Sequence, residues 1–390
     1  MNENGSGSES SGKSSSEDSI EEICSSLAAS GYSVKFRGFS ALDLYFRLPT
    51  LPFFWIETNA DIAVLARYID NLRFPGVDIA DAAVEIAGRT CYFGCIENDE
   101  RSEASFPMLS LTYDWRTKRF QDPLGVYPLV RDLRDHKFET APKFNVQSQI
   151  GNSRVVMEAA LLLARYCFSA ETFAFAKEQN PPRPEMQKMF LICLILSARP
   201  ELGLELLKRS GFLREFWPEL ASLNDVDHSK EFHPEGNVWN HTLETFRYRK
   251  PAASGAFDLR LSLALLLHDS GKPISASFAN RRFDGHAELG AQAAARFLER
   301  LEFEPSLIQD IFYLVKNHML PAALKRLPLA KTAEIMASPL FPTLMELYRC
   351  DESSSFKGLN DFYENTAAYQ AYLKNIKNPY RANDGKKTAI

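Results

Sequence analysis

The chain predicts an α+β protein, a small α/β head followed by a long, all-helical body. Three observations carry this expectation. Strand-like runs and polar turns are confined to roughly the first 140 residues. Beyond Phe144, apolar residues recur at helical spacing almost without a break. Six of the seven histidines fall within residues 228–318, inside that helical stretch.

Taken in order, residues 1–19 hold eight serines, three glycines and no large apolar side chain after the initiator, so a disordered tail is expected. Helical spacing runs from Ile20 to Ala29. Ser33–Phe36 and Phe53–Ile56 read as strands and Ile62–Leu72 as a helix, while Leu109–Tyr113 and Arg119–Asp122 flank a polar turn as in a hairpin. In the body, Ser153–Phe168, Glu185–Ser197 and Glu201–Ser210 read as helices, with Gly211 and Pro218 as stops. Trp239–Tyr248, Leu259–His268, Glu288–Glu299 and Ser306–Asn317 continue the pattern. The expected division is a tail at 1–19, a head at 20–140, a helical connector at 141–225 and a last helical domain at 226–390.

At 390 residues the chain is long enough for several domains, and 45% hydrophobic with 24% charged residues is ordinary for a globular protein. The net charge of −5 argues against a strongly electrostatic binder of nucleic acid or membrane. The longest apolar stretch, Met189–Ala198, is half of the roughly 20 residues a bilayer demands. The six cysteines follow a polar N-terminus without a signal peptide, so a cytoplasmic location with free thiols is expected. Cys91 and Cys95 read as half-buried strand residues rather than a zinc pair.

The chemistry sits in the later helices. His268-Asp269 ends the apolar segment Leu259–Leu267. Neighbouring helical residues point about 100° apart, so both can face one ion only if the chain turns. Gly271 is expected to cap the helix and Pro273 to stop it. His241 precedes this pair; His286, His318 and Asp351 follow, the last just past a helix with Glu352 beside it. Imidazoles and carboxylates in this order suit divalent ions, with a carboxylate able to bridge two of them, hold a hydroxide and neutralise a phosphoryl group. His241, His268, Asp269 and Asp351 are expected to hold one ion, and Asp269, His286 and His318 a second. Lys272 is expected to meet the phosphate as a point charge. His228 and His233 read as structural or substrate-proximal.

Leu267-His268-Asp269-Ser270-Gly271-Lys272-Pro273 resembles the signature of the HD superfamily of metal-dependent phosphohydrolases. His233-Pro234-Glu235-Gly236-Asn237-Val238-Trp239-Asn240-His241-Thr242 resembles the segment that opens the HD domain of bacterial tRNA nucleotidyltransferases, the CCA-adding enzymes and their poly(A) polymerase relatives. Pro200–Leu207, Gly211-Phe212-Leu213, Trp217–Leu220, Tyr113-Asp114 and Asp122–Gly125 fit the same family. The resemblance implies a nucleotidyltransferase-like α/β head, a helical neck and body, and an all-helical HD domain.

That family carries a D-x-D carboxylate pair on a head strand after a glycine-rich triphosphate loop. Phe53 and Trp55 stand at those positions, with Glu57 on the same strand face. Arg37-Gly38-Phe39-Ser40-Ala41-Leu42-Asp43 keeps one glycine of the loop. Glu103–Leu109 lacks the family's arginines, and Glu185-Met186-Gln187-Lys188 lacks a neck arginine, although Arg154 persists. The resemblance therefore implies a head whose fold is kept and whose transfer chemistry is lost. The expected activity is hydrolysis of a phosphomonoester or cyclic phosphodiester of a nucleotide or RNA end. The divalent ions would be manganese, nickel, cobalt, iron or magnesium. The alternatives are a working tRNA nucleotidyltransferase, or a relic that only binds nucleotide or RNA. Basic residues between Trp115 and Lys137 (Arg116, Lys118, Arg119, Arg131, Arg134) could touch RNA, and Arg281-Arg282 could steer a phosphate.

Overall fold

A computed structural model describes residues 16–76, 78–86, 88–96, 104–127, 152–166, 181–227, 236–278, 283–355 and 358–376. The chain divides into two compact units, residues 1–138 and 139–390. Of the expected tail, 1–15 lie outside the described residues. Ser16–Ser19 instead form the first turn of helix α1 (Ser16–Ala29). Four residues separate Ile20, the first buried apolar side chain, from the helix start, and helical hydrogen bonds extend one turn beyond the packed face.

The first unit is a mixed sheet. After α1 come β1 (Val34–Arg37), α2 (Gly38–Phe46), β2 (Phe53–Thr58), α3 (Ile62–Tyr68), β3 (Ala82–Ile86), β4 (Arg89–Cys95), β5 (Thr112–Asp114) and β6 (Arg119–Gln121). The strand order is β3-β4-β2-β1-β5-β6, with β2 and β4 parallel and every other neighbour antiparallel. Alternation sorts the side chains by face. Phe36, Phe54, Ile56, Val84, Cys91 and Phe93 pack with α1 and α3 into one core. Cys91 is buried in β4 and Cys95 half-buried at its end.

The opposite face carries Phe53, Trp55 and Glu57 on β2 beside Tyr92 on β4. Rings of Phe53 and Trp55 each lie 6.2 Å from that of Tyr92, close to parallel, and Phe39 of α2 meets Trp55 edge-on at 5.8 Å. Glu57 pairs with Arg37 at 3.3 Å. Of the basic residues near Trp115, Arg116 donates to the Ala28 carbonyl at 2.7 Å and Lys118 covers the Trp115 ring. Arg131 and Arg134 lie outside the described residues.

The second unit is helical. It contains α4 (Ser153–Tyr166), α5 (Pro184–Ile195), α6 (Pro200–Arg209), α7 (Phe212–Phe216), α8 (Pro218–Ala221), α9 (Val238–Thr245), α10 (Leu259–Leu267), α11 (Lys272–Phe278), α12 (His286–Arg300), α13 (Pro305–Asn317), α14 (Leu329–Met336), α15 (Phe341–Ser353) and α16 (Asn360–Ile376). Proline opens α5, α6, α8 and α13, where its missing N–H costs nothing. Asn237 caps α9 through Asn240 N at 2.9 Å, and Asp258 caps α10 through Leu261 N at 2.7 Å. Leu263, Leu265, Leu266 and Leu267 are fully buried, which makes α10 the central rod of this unit. Among the described residues no helix is long and apolar enough to cross a membrane.

A candidate metal centre in the helical unit

Five helices aim polar side chains at one buried point. His241 comes from the first turns of α9, and His268 caps the C-terminus of α10 with Asp269 in the turn after it. His286 opens α12, His318 caps α13, and Asp351 lies in the last turn of α15. The exposure of His241, His268, Asp269 and His318 is 3% or less. Within this cluster His241, His268 and Asp351 form one group able to hold a metal ion, and Asp269, His286 and His318 form another.

Asp269 joins the groups. Its Oδ2 lies 3.3 Å from His268 Nε2 and 3.9 Å from His241 Nε2. Its Oδ1 lies 3.7 Å from His286 Nε2 and 3.9 Å from His318 Nε2. Lys272 Nζ donates to Oδ2 at 2.6 Å, so the lysine rests on the carboxylate.

The imidazoles are oriented from behind. Backbone carbonyls of Leu265, Phe283 and Val315 lie 2.9, 2.7 and 2.7 Å from Nδ1 of His268, His286 and His318. A carbonyl only accepts, so each Nδ1 carries the proton and each Nε2 presents its lone pair to the centre. Ser354 treats His241 in the same way. Its hydroxyl donates to the Asp351 carbonyl at 2.6 Å and therefore accepts from His241 Nδ1 at 3.3 Å.

This tautomer pattern tests the fit of a cation. His268 Nε2 is buried with no hydrogen-bond partner. His286 and His318 bring their Nε2 atoms within 3.2 Å, and His241 Nε2 stands 2.9 Å from Asp351 Oδ1. Lone pairs turned on lone pairs in a dry interior call for positive charge between them. The donor set, imidazole nitrogens with carboxylate oxygens, suits a divalent transition ion.

Electrostatics agree. Burial pushes the Asp269 carboxyl upward, but His268, Lys272 and His241 outweigh it and hold it well below the carboxylate range. Burial likewise opposes ionisation of Asp351, and His241, which is positively charged when a proton rather than a metal ion occupies its Nε2, reverses the effect and holds that carboxyl low. Burial lowers His286 and takes His318 down to about 4, leaving that ring neutral at pH 7.

The turn differs from its sequence-based reading. Gly271 is not a left-handed cap, being absent from the positive-φ residues. A Cβ there would stand 1.9 Å from the His286 carbonyl and 2.4 Å from Gly290 N, so glycine is needed for backbone contact between the turn and α12. Pro273 does not stop a helix; it lies in the first turn of α11. Asp351 is inside α15 rather than past it, because helical hydrogen bonds run on to Ser353. Ser354 escaped the sequence reading, although Asp-x-x-Ser at a helix end was its available signal. His228, His233, Arg281 and Arg282 lie outside the described residues.

The HD-domain family profile matches residues 238–340, which include His241, His268, Asp269, His286 and His318 and stop short of Asp351. The CC-adding tRNA nucleotidyltransferase of Thermus thermophilus is 32% identical over 211 residues, 52% of this chain and 46% of that protein. The multifunctional CCA protein of Halorhodospira halophila is 35% identical over 126 residues, 32% of this chain and 29% of the relative. The chain is tRNA nucleotidyltransferase-like, with an HD domain. Its fold is also that of the Bacillus stearothermophilus CCA-adding enzyme crystallised with CTP, at 13% identity. That match has a TM-score of 0.50 and covers 93% of this chain and 83% of that one. The matched part of the chain spans less than half the length of each of these two curated relatives.

Proposed function

We propose that the HD domain is a metal-dependent phosphohydrolase acting on a phosphomonoester or cyclic phosphodiester of a nucleotide or RNA end, in the cytoplasm. The observation that carries this reading is the convergence of four Nε2 lone pairs on Asp269 and Asp351, each imidazole fixed from behind by an acceptor. His241, His268, Asp269 and Asp351 would hold one divalent ion, and Asp269, His286 and His318 a second. Bound ions would supply Lewis acidity and neutralise phosphoryl charge. The residues do the rest. The outer acceptors fix the tautomer and aim each Nε2, burial keeps His318 neutral, and Asp269 would serve both groups. Lys272, whose side chain is 13% exposed, would exchange its contact with Asp269 for a substrate phosphate oxygen. Hydrolysis adds water across the P–O bond: the water oxygen bonds phosphorus and the leaving oxygen departs with a proton.

The relatives, by name, favour a second reading over hydrolysis: nucleotide transfer to tRNA by the head. Against it, within this chain, stands the aromatic layer of Phe53, Trp55 and Tyr92, because aromatic rings cannot replace the carboxylates that two-ion transfer needs.

One experiment separates the two. Protein purified without added metal is analysed for metal, screened against phosphomonoesters and 2′,3′-cyclic phosphates, and assayed for labelled CMP or AMP incorporation into tRNA ends. Hydrolysis that His268→Ala and Asp269→Ala abolish supports the first reading. Incorporation without hydrolysis overturns it in favour of the second. Neither activity, with no bound metal, leaves a protein that only binds nucleotide or RNA.

A further inference from the structure

Arg249 is buried, follows the 3-10 turn Phe246–Tyr248 at the end of α9, and has no carboxylate within ion-pair distance among the described residues. Its guanidinium is satisfied by neutral groups instead. Nη1 donates to the Ile195 carbonyl at 2.6 Å and to Ser262 Oγ at 2.8 Å. Nη2 donates to the Ser197 carbonyl at 3.0 Å, and Nε to the Phe246 carbonyl at 3.3 Å. The rings of Phe257 and Phe246 cover the charge at 4.2 and 4.8 Å. A desolvated cation with no carboxylate in contact, only the longer-range field of Glu201, is a costly way to fill space, and an apolar residue would fill it more cheaply. What the fork adds is geometry, because its donors diverge in a fixed plane.

The elements held this way are specific. Arg249 links the end of α9, which carries His241, to Ser262 on α10, which leads into His268. Arg349, two residues before Asp351 on α15, donates to the carbonyl of Tyr248, the residue next to Arg249. Glu346 fixes Arg349 by accepting at 2.8 Å from Nε and at 2.6 Å from Nη2. The turn at 246–249 thus ties together the helices that supply His241, His268 and Asp351. His286 and His318 come from α12 and α13, which this turn does not hold; α12 is placed by the Gly271–Gly290 contact.

We infer that Arg249, with Arg349 behind it, is a positioning residue that sets the spacing of the His241/His268/Asp351 group independently of the group at His286 and His318. The inference rests on the proposed two-ion site.

The test titrates metal-free protein with Mn²⁺ or Co²⁺ by calorimetry, together with Arg249→Lys, which keeps the charge and loses the fork. Wild-type binding of fewer than two ions would fail the functional reading itself, a different result from any obtained with the variants. With two ions bound by wild type, Arg249→Lys is expected to weaken one site by at least about tenfold, the scale for losing an outer partner of a ligand, and to leave the other unchanged. Arg349→Gln is expected to weaken the same site, and it decides the matter if Arg249→Lys does not fold. Equal weakening of both sites, or of neither, in variants with wild-type circular dichroism overturns the inference. A purely structural role predicts lower thermal stability with both affinities kept.

Discussion

The aromatic face of β2 and the buried centre of the helical unit are two ways of filling the interior of one chain, the first with rings and the second with imidazoles and carboxylates. On β2, Phe53 and Trp55 stack with Tyr92, and this part of the face is stabilised mainly by burial and ring contacts. Around Asp269, the chain buries imidazoles whose lone pairs face one another, an arrangement that opposes folding unless a cation joins it. Polar groups that lower stability persist where a ligand compensates them; where none does, apolar packing is the lower free-energy solution. The contrast is the reason the proposed chemistry is assigned to the second unit.

The sharpest way to break this contrast is Asp269→Asn. Loss of the carboxylate shared by both groups should lower metal content and reduce hydrolysis by more than the roughly 10–100-fold that follows loss of an outer-shell partner. Metal analysis and turnover check it, and unchanged values would sink the two-group reading. Phe53→Ala should do the opposite. It should destabilise the head by about 3–5 kcal/mol, as for other buried Phe→Ala changes, and leave hydrolysis at the wild-type rate.

The pH dependence of metal-free protein sharpens the comparison. His318 titrates near 4 when folded and near 6.5 when unfolded, so the unfolded chain binds more protons between those values. Its contribution is complete above about pH 6.5 and is lost as pH falls toward 4, on the order of 3 kcal/mol. Asp269 and Asp351, both held low, extend the loss to still lower pH. Denaturant titration of chelated protein between pH 7 and 4 measures this; a flat profile contradicts it. Adding a divalent ion at about 100 times its Kd should stabilise the HD domain by about 2.7 kcal/mol, or roughly 5–10 °C by scanning calorimetry. The head's transition should not move. Gly271→Ala, which presses a methyl group into α12, should cost about 1–3 kcal/mol, with weaker binding at the His286/His318 group.

Much of this site was legible in the sequence because ligand chemistry is a property of residue type, and His241, His268, Asp269, His286, His318 and Asp351 do converge. The placement of the turn was less legible. Glycine has two uses, free φ and absence of a side chain, and only the proximity of Gly290 shows that Gly271 serves the second. Proline likewise either stops or starts a helix, and Pro273 starts one. Asp351 reads from the sequence as lying past its helix because a weakly periodic, half-exposed last turn gives little pattern. Arg249 donates mainly to backbone carbonyls, which every residue has, so most of its partners leave no trace in the sequence. In the head, β1, β2 and the β5–β6 hairpin follow from strand-like runs, whereas α2 and β3 are not read from the sequence and the parallel pairing of β2 with β4 depends on long-range register.

Asp269 has a single pair of side-chain torsions, yet its two oxygens face different groups and one of them also holds Lys272. One plane therefore sets both oxygens: whatever turns the carboxylate toward one group also turns it for the other. Lys272 holds that plane in place through Oδ2. A cation that reached Oδ2 would have to displace this ammonium, so the protein's own lysine would compete for the oxygen it guards.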